Sequence, residues 1–574
     1  MFCKKCGLPI NDDETICPSC GTEVNKDELT TELSETTGSA LKEKKKLGKK
    51  GMCIIAGTVV GIVAVLLFVL NFSVISNAVR RTITSPASYY RYVEKKNTTK
   101  ALQNAVTGMY AQTPKDWDNF YSSNTMAVEL NDYTMDLISA LTGWNNLSWL
   151  QYIGMTANVS MQHEMMESNL SVMLGEEAML AANPLVSLQT IYDLKKEEVY
   201  VQIPELSKSY MGMQFKQMED AQMPPIQDLY QMIPTEEQLS TLIQRYSNIF
   251  LANVEQVEKS KDVVTTQSLT KDVYALIVTL DAKTIKAALL EIIAEAKEEK
   301  VIAELLQNFD KVSVDAEFSF YESFMTILKE SEAELTAWDA EHETEHLLMH
   351  VYVDNRGIVC GRDVSMCDAS GETDIVSYAF IQDGTSIEAE ATLRGTMNCH
   401  ITGSGTVKKN NINGSLVCNV NGEEFLQITL ENFKVTELIQ GKTSGTIKIA
   451  LLKGFSDALG LNKDAAFLLA VFSDYFLQID LNVEEKNAAY TYSLCDNSVS
   501  YITVTVNSSQ GTPTMTPPSP TDAIMVEDEA GVNAWLQTID LEKVKEHLKT
   551  TPLPEEWISL IEIFAEQLQT MPIQ

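Results

Sequence analysis

Apolar residues follow two patterns along this chain: one continuous run near the start, and many short alternating runs in the second half. The continuous run covers residues 52–75 and contains no charged side chain. A helix needs about 20 apolar residues to cross the hydrocarbon core of a bilayer, so this run predicts one transmembrane helix. It begins too late and is too long to be a secretory signal peptide.

Alternation of apolar and polar side chains dominates residues 346–508, and it predicts strands with one buried face and one wet face. Three segments alternate clearly: 387–394, 426–430 and 447–451. Three Asp-Gly or Asn-Gly pairs, which favour tight hairpin turns, punctuate them: 383–384, 413–414 and 421–422. This pattern predicts a long antiparallel β-meander, curved around helices that pack on its apolar face.

Helices and strands are mixed in the rest of the region beyond the apolar run. Pro86 directly after Ser85 predicts the start of a helix, because proline is tolerated in the first turn. Two further helices and two strands are predicted before the meander: helices near 225–254 and 282–307, and strands at 199–203 and 273–278. After a Pro/Thr-rich linker, two short amphipathic helices are predicted near 527–548 and 554–569.

Four cysteines lie within the first twenty residues, as two CxxC pairs that are each followed by glycine: Cys3, Cys6, Cys17 and Cys20. Each CxxC turn aims two thiolates at one point, and Zn²⁺ takes four sulfur ligands in a tetrahedron at about 2.3 Å. Residues 7–16 separate the pairs, a shorter gap than the usual spacing of about 15–20 residues. Four thiolates leave no open coordination position, so we expect a structural zinc site.

These cysteines, with Gly7, Pro18 and Gly21, resemble the short zinc ribbon that opens many bacterial membrane proteins. In that group, which includes the teicoplanin-resistance-associated membrane proteins of Gram-positive bacteria, a lysine-rich linker, one membrane helix and an extracytoplasmic domain follow the ribbon. The resemblance covers the chain up to about residue 80. It implies that the four cysteines bind the zinc ion and that the same plan holds here.

Basic residues on the two sides of the apolar run indicate its orientation. Six lysines lie within residues 42–50, whereas Arg80 and Arg81 alone follow the run closely. The positive-inside rule puts the N-terminus in the cytosol, and the reducing cytosol also suits a zinc–thiolate site. The region after the run is then extracytoplasmic. Gly57 and Gly61 form a GxxxG motif that would let two such helices pack as a homodimer.

The charge of the outer region excludes one class of partner. The chain has a net charge of −35, to which residues 1–51 contribute nothing because their nine lysines balance nine acidic residues. An acidic surface repels nucleic acid, so we expect no nucleic-acid binding by the outer domain. Its five cysteines show no disulfide framework, although a single pair, Cys360–Cys367 or Cys399–Cys418, stays open.

One string in the sequence looks catalytic. His342-Glu343-Thr344-Glu345-His346 matches HExxH, in which two histidines one helical turn apart bind zinc and the glutamate activates water. Acidic residues surround the string and a strand pattern begins at its end. We therefore favour a solvated helix terminus over a catalytic site.

The predicted fold class is α+β with six regions: a zinc ribbon (1–22), a lysine-rich cytosolic linker (23–51), a transmembrane helix (52–75), an extracytoplasmic α+β region (82–510), a Pro/Thr linker (511–525) and a C-terminal helical segment (526–574). The functional hypothesis is a non-enzymatic envelope protein whose outer domain binds an unidentified ligand or envelope partner. One alternative is a carrier of lipid or another hydrophobic ligand on a concave sheet, which would resemble the lipoprotein-carrier half-barrel in shape alone. A second alternative is a metalloprotease built on His342 and His346.

Overall fold

A computed structural model describes residues 84–570 of the protein, apart from residues 112, 114–115, 117–118, 145–146, 163, 176–183, 215–233, 313–317, 396–397, 435–441, 453–474, 514–519 and 521–522. The predicted zinc ribbon, cytosolic linker and transmembrane segment lie outside these described residues. Within the described part of the chain, no helix is both long enough and apolar enough to cross a membrane.

One sheet of twenty strands organises the described residues. The strands are β1 Asn119–Leu130, β2 Tyr152–Gln162, β3 Met165–Gly175, β4 Val186–Asp193, β5 Glu198–Gln202, β6 Met211–Gln214, β7 Val257–Thr265, β8 Thr270–Asp281, β9 His346–Val353, β10 Val359–Asp368, β11 Gly371–Asp383, β12 Ser386–Leu393, β13 Cys399–Lys408, β14 Asn411–Val420, β15 Glu423–Lys434, β16 Thr443–Leu451, β17 Phe476–Val483, β18 Asn487–Cys495, β19 Ser500–Gly511 and β20 Ile524–Met525. Hydrogen bonding sets them side by side in the order β7-β8-β9-β10-β11-β12-β13-β14-β15-β16-β17-β18-β19-β1-β2-β3-β4-β5-β6-β20. Strands β6 and β20 pair in parallel, and the other neighbouring pairs are antiparallel.

The predicted meander is confirmed, because β9 to β19 follow one another along the chain and each pairs with the next. Strand β1 then pairs with β19, with Val128 opposite Val504. Strands from the beginning of the domain therefore extend the meander at its far end. The strands predicted at 199–203 and 273–278 are β5 and β8 of this same sheet.

Ten α-helices accompany the sheet in the described residues: α1 Pro86–Glu94, α2 Lys100–Tyr110, α3 Asp132–Thr142, α4 Glu236–Asn253, α5 Ala282–Glu298, α6 Lys300–Val312, α7 Phe320–Ala337, α8 Glu529–Leu536, α9 Leu541–Leu548 and α10 Glu555–Thr570. A π-helical turn, Lys95–Thr99, joins α1 to α2. Helix α1 begins as predicted, because Ser85 Oγ accepts a hydrogen bond from Ser88 N at 3.3 Å and Pro86 fills the first turn. Helices α5 and α7 pack through a cluster of buried side chains: Ile293, Ala296, Leu328 and Leu335.

The segment predicted as one helix over 282–307 is divided into α5 and α6. Glu299, between them, leaves the helical conformation with φ −77° and ψ 106°. Its buried carboxylate pairs with Arg245 and accepts a hydrogen bond from Val301 N at 3.2 Å, so it caps the start of α6. The break therefore depends on a partner from α4, which helical periodicity does not reveal.

The C-terminal helices dock on the β4–β6 end of the sheet, a question that the sequence leaves open. Trp535 of α8 donates from Nε1 to the carbonyl oxygen of Ser209 at 3.1 Å. The helix predicted over 527–548 is divided into α8 and α9, because Asp540 accepts a hydrogen bond from Lys543 N at 3.3 Å and caps α9. An apolar cluster holds α9 and α10 to this end of the sheet: Val544, Leu548, Ile558, Leu185 and Leu206.

Two of the three predicted hairpin turns are confirmed, and the one at 413–414 is wrong. Asn413 and Gly414 lie inside β14, and the turn before this strand is made by Lys409 and Asn410, with φ of 49° and 70°. Gly414 instead faces Gly405 of β13, where the two backbones approach closely. A Cβ atom on Gly414 would lie 2.5 Å from the carbonyl oxygen of Ser404.

Candidate functional site

One face of the sheet carries three neighbouring rows of apolar side chains, which together we call the apolar face. Residues opposite each other in adjacent strands point to the same side, so each row runs across the strands. The central row crosses eight strands: Leu430, Ile447, Ile479, Tyr492, Val504, Val128, Ile153 and Leu174. The flanking rows are Ile428, Ile449, Leu477, Leu494, Ile502 and Leu130 on one side, and Leu481, Tyr490, Val506, Met126, Met155 and Val172 on the other.

Most side chains of the apolar face are half-buried rather than enclosed. In the central row Leu174 is buried and the other seven keep part of their surface accessible. Leu477, in a flanking row, is exposed. Neighbouring strands lie about 4.8 Å apart, so eight strands span roughly 34 Å. The apolar face is therefore a broad hydrocarbon surface that remains partly accessible.

The opposite face of the same strands is polar. Lys448 Nζ pairs with Glu431 at 2.7 Å, and Gln478 Nε2 donates to Asp480 at 2.7 Å. These contacts join neighbouring strands or neighbouring positions of one strand, and the groups involved keep access to water. The division into one apolar and one polar face is what the alternating sequence pattern predicts for an antiparallel sheet.

Helix α1 packs on the same side of the sheet at β10 and β11. Arg362 of β10 and Tyr378 of β11 lie opposite each other. The row of opposite residues that contains them continues across the sheet to Leu426 of β15, so both side chains point to the side of the apolar face. The Arg362 guanidinium pairs with the Glu94 carboxylate of α1 at 2.7 Å, with side-chain exposures of 7% and 6%. Burial raises the pKa of the neighbouring Tyr90 hydroxyl, which keeps it neutral. Loss of either ion would leave the other charge buried and unpaired, so this pair fixes α1 on the sheet.

A second carboxylate, Glu388 of β12, holds the turn between β7 and β8. It accepts hydrogen bonds from Thr266 Oγ1 at 2.8 Å, Ser268 N at 2.8 Å and Leu269 N at 3.0 Å. The Ser268 hydroxyl also donates to it. These bonds, that of the Ser268 hydroxyl foremost, lower the pKa of Glu388 to about 2. The contact is structural, since the carboxylate's oxygens are occupied by the turn.

The HExxH string does not form the helix that a zinc protease requires. Helix α7 ends at Ala337, residues 342–345 lie in an irregular connection, and His346 is the first residue of β9. The His342 side chain is 85% exposed and contacts Asp339 at 2.8 Å, and this carboxylate raises the pKa of His342. The string is solvated, as expected, but it lies beyond the helix rather than at its end.

No set of three or more His, Cys, Asp or Glu side chains is placed to share a metal ion within the described residues. A polar depression of about 330 Å³ lies on the polar face, next to the ends of β17, β18, β19 and β1. Hydroxyl and amide groups line it, among them Ser123, Thr125, Asn482 and Asn507. Glu484, Ser508 and Ser509 line it as well.

The segment that contains the N-terminal cysteines lies outside the described residues, and it matches a known protein family. A family model described as a zinc-ribbon domain matches residues 2–24. Residues 2–24 form a zinc-ribbon domain. The ribbon contains all four predicted ligands, Cys3, Cys6, Cys17 and Cys20, and four thiolate donors suit Zn²⁺. Comparisons of the chain with curated proteins and with solved structures find no match.

Sequence reasoning missed the two buried carboxylates because their partners are distant in the chain. Glu94 and Arg362 are 268 residues apart, and Thr266 and Glu388 are 122 apart. One signal was available for Arg362. It occupies a position of β10 whose neighbours two residues away, Cys360 and Val364, are apolar and buried. A charge at such a position indicates a buried partner.

Proposed function

We propose that this protein is a non-enzymatic, membrane-anchored binding protein of the cell envelope, whose extracytoplasmic sheet holds the acyl chains of a lipid on the apolar face. The observation that carries the proposal is the set of three adjoining apolar rows whose side chains stay half-exposed. Such a surface suits hydrocarbon, because each Å² of apolar area removed from water contributes about 25 cal/mol.

The composition of the rows favours a flexible, unfunctionalised chain over a polar ligand. Aliphatic side chains dominate, with Met126 and Met155 opposite each other in one flanking row. Methionine adapts its shape to irregular apolar ligands. Tyr490 and Tyr492 are the aromatic members, and their rings stack with centroids 6.3 Å apart.

The charge of the chain indicates which head groups are compatible. The net charge of −35 arises entirely outside residues 1–51. An anionic head group would meet like charge at the surface of the outer domain. We therefore propose a lipid whose head group is neutral or cationic.

In this proposal one helix over residues 52–75 spans the membrane, with the zinc ribbon in the cytosol. The uncharged length of that run and the six lysines before it support this orientation. The ribbon supports it as well, because zinc–thiolate sites persist in a reducing compartment. The four cysteines would hold the ion as a structural centre, and Gly57 and Gly61 would allow two spans to pair.

A pair of substitutions on β19 tests the apolar face. Val504 lies in the central row, whereas Thr505, the next residue, points to the polar face. In the 82–574 fragment, once circular dichroism shows that it is folded, we expect Val504→Glu to weaken binding of a neutral monoacylglycerol at least about tenfold. A charge against hydrocarbon costs more than the 1.4 kcal/mol that this factor represents.

The matched control, Thr505→Glu, should change the dissociation constant by less than about twofold, because its charge stays in water. Val504→Thr preserves the side-chain shape and should weaken binding in the same direction by a smaller factor. Equal affinities for the wild type and both Val504 variants would contradict the proposal. So would failure of the wild-type fragment to bind the lipid at all.

A further inference from the structure

Two cysteines lie side by side where β13 begins and β14 ends. Cys399 is the first residue of β13 and faces Val420, while Cys418 faces Ile401. The two cysteines are therefore diagonal neighbours on the side of the sheet that carries the apolar face. Their Sγ atoms are 3.4 Å apart. A disulfide bond is about 2.05 Å long, so an approach of about 1.4 Å would join them.

The other cysteine pair that the sequence leaves open cannot form. Cys360 and Cys367 belong to the same strand, β10. Seven steps of extended chain separate their Cα atoms by about 23 Å, far beyond the limit of about 7 Å for a disulfide. Cys360 is also buried, as is Cys495. Of the cysteine pairs considered, the β13–β14 pair has the geometry for a bond.

We propose that Cys399 and Cys418 form a disulfide bond that ties β13 to β14 beside the apolar face. The oxidant is a small-molecule or protein disulfide. One protein thiolate attacks it, which forms a mixed disulfide and releases one thiolate of the oxidant. The second protein thiolate then displaces the other half. The two protein S–H bonds and the S–S bond of the oxidant become one protein S–S bond and two thiols of the reduced oxidant.

The surroundings of the pair affect how fast the bond forms and breaks. Burial raises the pKa of the Cys418 thiol to about 11, and its hydrogen bond with Cys399 acts in the same direction. The thiolate is therefore scarce at neutral pH, and we expect exchange to be slow without a catalyst and faster in alkali. A thiol of high pKa is also a poor leaving group, so the formed bond should resist reduction.

Whether Cys399 and Cys418 are oxidised or reduced in cells rests on the proposed function. If the sheet is extracytoplasmic, it lies in an oxidising environment where disulfides persist. The bond would then restrict the separation of β13 and β14 and limit how far the sheet can open at this point. The unfolded chain would lose conformational entropy, which stabilises the folded state.

The test uses the full-length protein in detergent, incubated with oxidised glutathione, alkylated and digested with trypsin. Lys408 and Lys409 lie between the two cysteines, so digestion of the reduced protein yields separate peptides, each with one cysteine. We expect oxidation to join the 395–408 and 410–434 peptides, with loss of two hydrogen atoms. We also expect oxidation to raise the thermal unfolding midpoint by several degrees.

Cys399→Ser should abolish both the joined peptide and the shift in midpoint, whereas Cys367→Ser should leave both unchanged. Two separate alkylated peptides after oxidation, or Cys399 joined to another cysteine, would overturn the proposal. The same two peptides can be isolated from cells whose thiols are alkylated before lysis. They test separately whether the sheet is extracytoplasmic. Reduced thiols there, together with a disulfide formed in vitro, would contradict the extracytoplasmic placement and leave the site itself established.

Discussion

Single residues carry the contacts that hold the ends of the sheet in place. Glu388 is the clearest case, since its carboxylate accepts hydrogen bonds from Thr266, Ser268 and Leu269 in the β7–β8 turn. The pKa of Glu388 falls to about 2 in the folded protein, below its ordinary value of 4.5. A group with a depressed folded pKa stabilises the fold above its unfolded pKa and loses that contribution as the pH falls toward the folded pKa.

This linkage predicts a pH-dependent effect of Glu388→Gln. At about pH 6 the wild-type carboxylate is ionised in both states, so the variant should unfold at a lower midpoint than the wild type. Between about pH 4.5 and pH 2 the contribution is lost, and the two midpoints should converge. Thermal unfolding followed by circular dichroism at a series of pH values measures the difference.

Glu390→Gln is the matched control for this experiment. Glu390 lies on the same strand and the same face, but its carboxylate lies 3.7 Å from His400 Nε2. Its substitution should have a small effect without the same convergence at low pH. A Glu388→Gln difference that is constant from pH 6 to pH 3 would show that the turn does not depend on the ionised carboxylate.

At the scale of elements, two glycines decide how closely β13 and β14 approach. A Cβ atom on Gly405 would lie 2.4 Å from the carbonyl oxygen of Asn413, and one on Gly414 would lie 2.5 Å from that of Ser404. These neighbours are backbone atoms within the sheet, which cannot move aside without breaking the strand pairing. Gly405 and Gly414 are therefore needed for the close packing of the two strands and do not indicate a turn.

We predict that Gly414→Ala lowers the free energy of unfolding by roughly 1–3 kcal/mol, the cost of overpacking a closely packed site. Chemical denaturation measures this change. Gly511→Ala is the control, because a Cβ atom there would meet only Tyr121, at an ordinary 3.9 Å. If the two alanine variants were equally stable, the close approach of the backbones would not matter.

Local patterns predicted elements well and partners poorly. Residues 387–394 could be recognised as a strand because a period of two is a property of the strand itself. Asn413-Gly414 was misassigned because glycine serves both a tight turn and a close backbone approach, and only the opposite Gly405 distinguishes them. The break at Glu299 likewise depends on Arg245, a residue of another helix.

At the scale of the whole molecule, the sheet joins parts of the chain that the sequence separates widely. The pairing of Val128 with Val504 completes the apolar face from strands at both ends of the domain. Nothing local in either strand specifies that partner, so the sequence predicted the meander without its extension through β1 to β6. The candidate site was predictable as an apolar sheet face, but its width was not.

The proposed topology predicts the outcome of proteolysis on spheroplasts. If residues 52–75 span the membrane with the N-terminus inside, added proteinase K should remove the sheet and leave a membrane-embedded fragment that contains Cys3, Cys6, Cys17 and Cys20. That fragment should retain one zinc ion per chain, because metal binding supplies the folding energy of so short a ribbon. Mass spectrometry and zinc analysis of washed membranes measure both properties. If the full-length chain survives protease in spheroplasts but is digested after lysis, the sheet lies inside the cell. The zinc content of the Cys3→Ser variant would then test the ribbon independently of topology, and we expect that variant to lose its zinc.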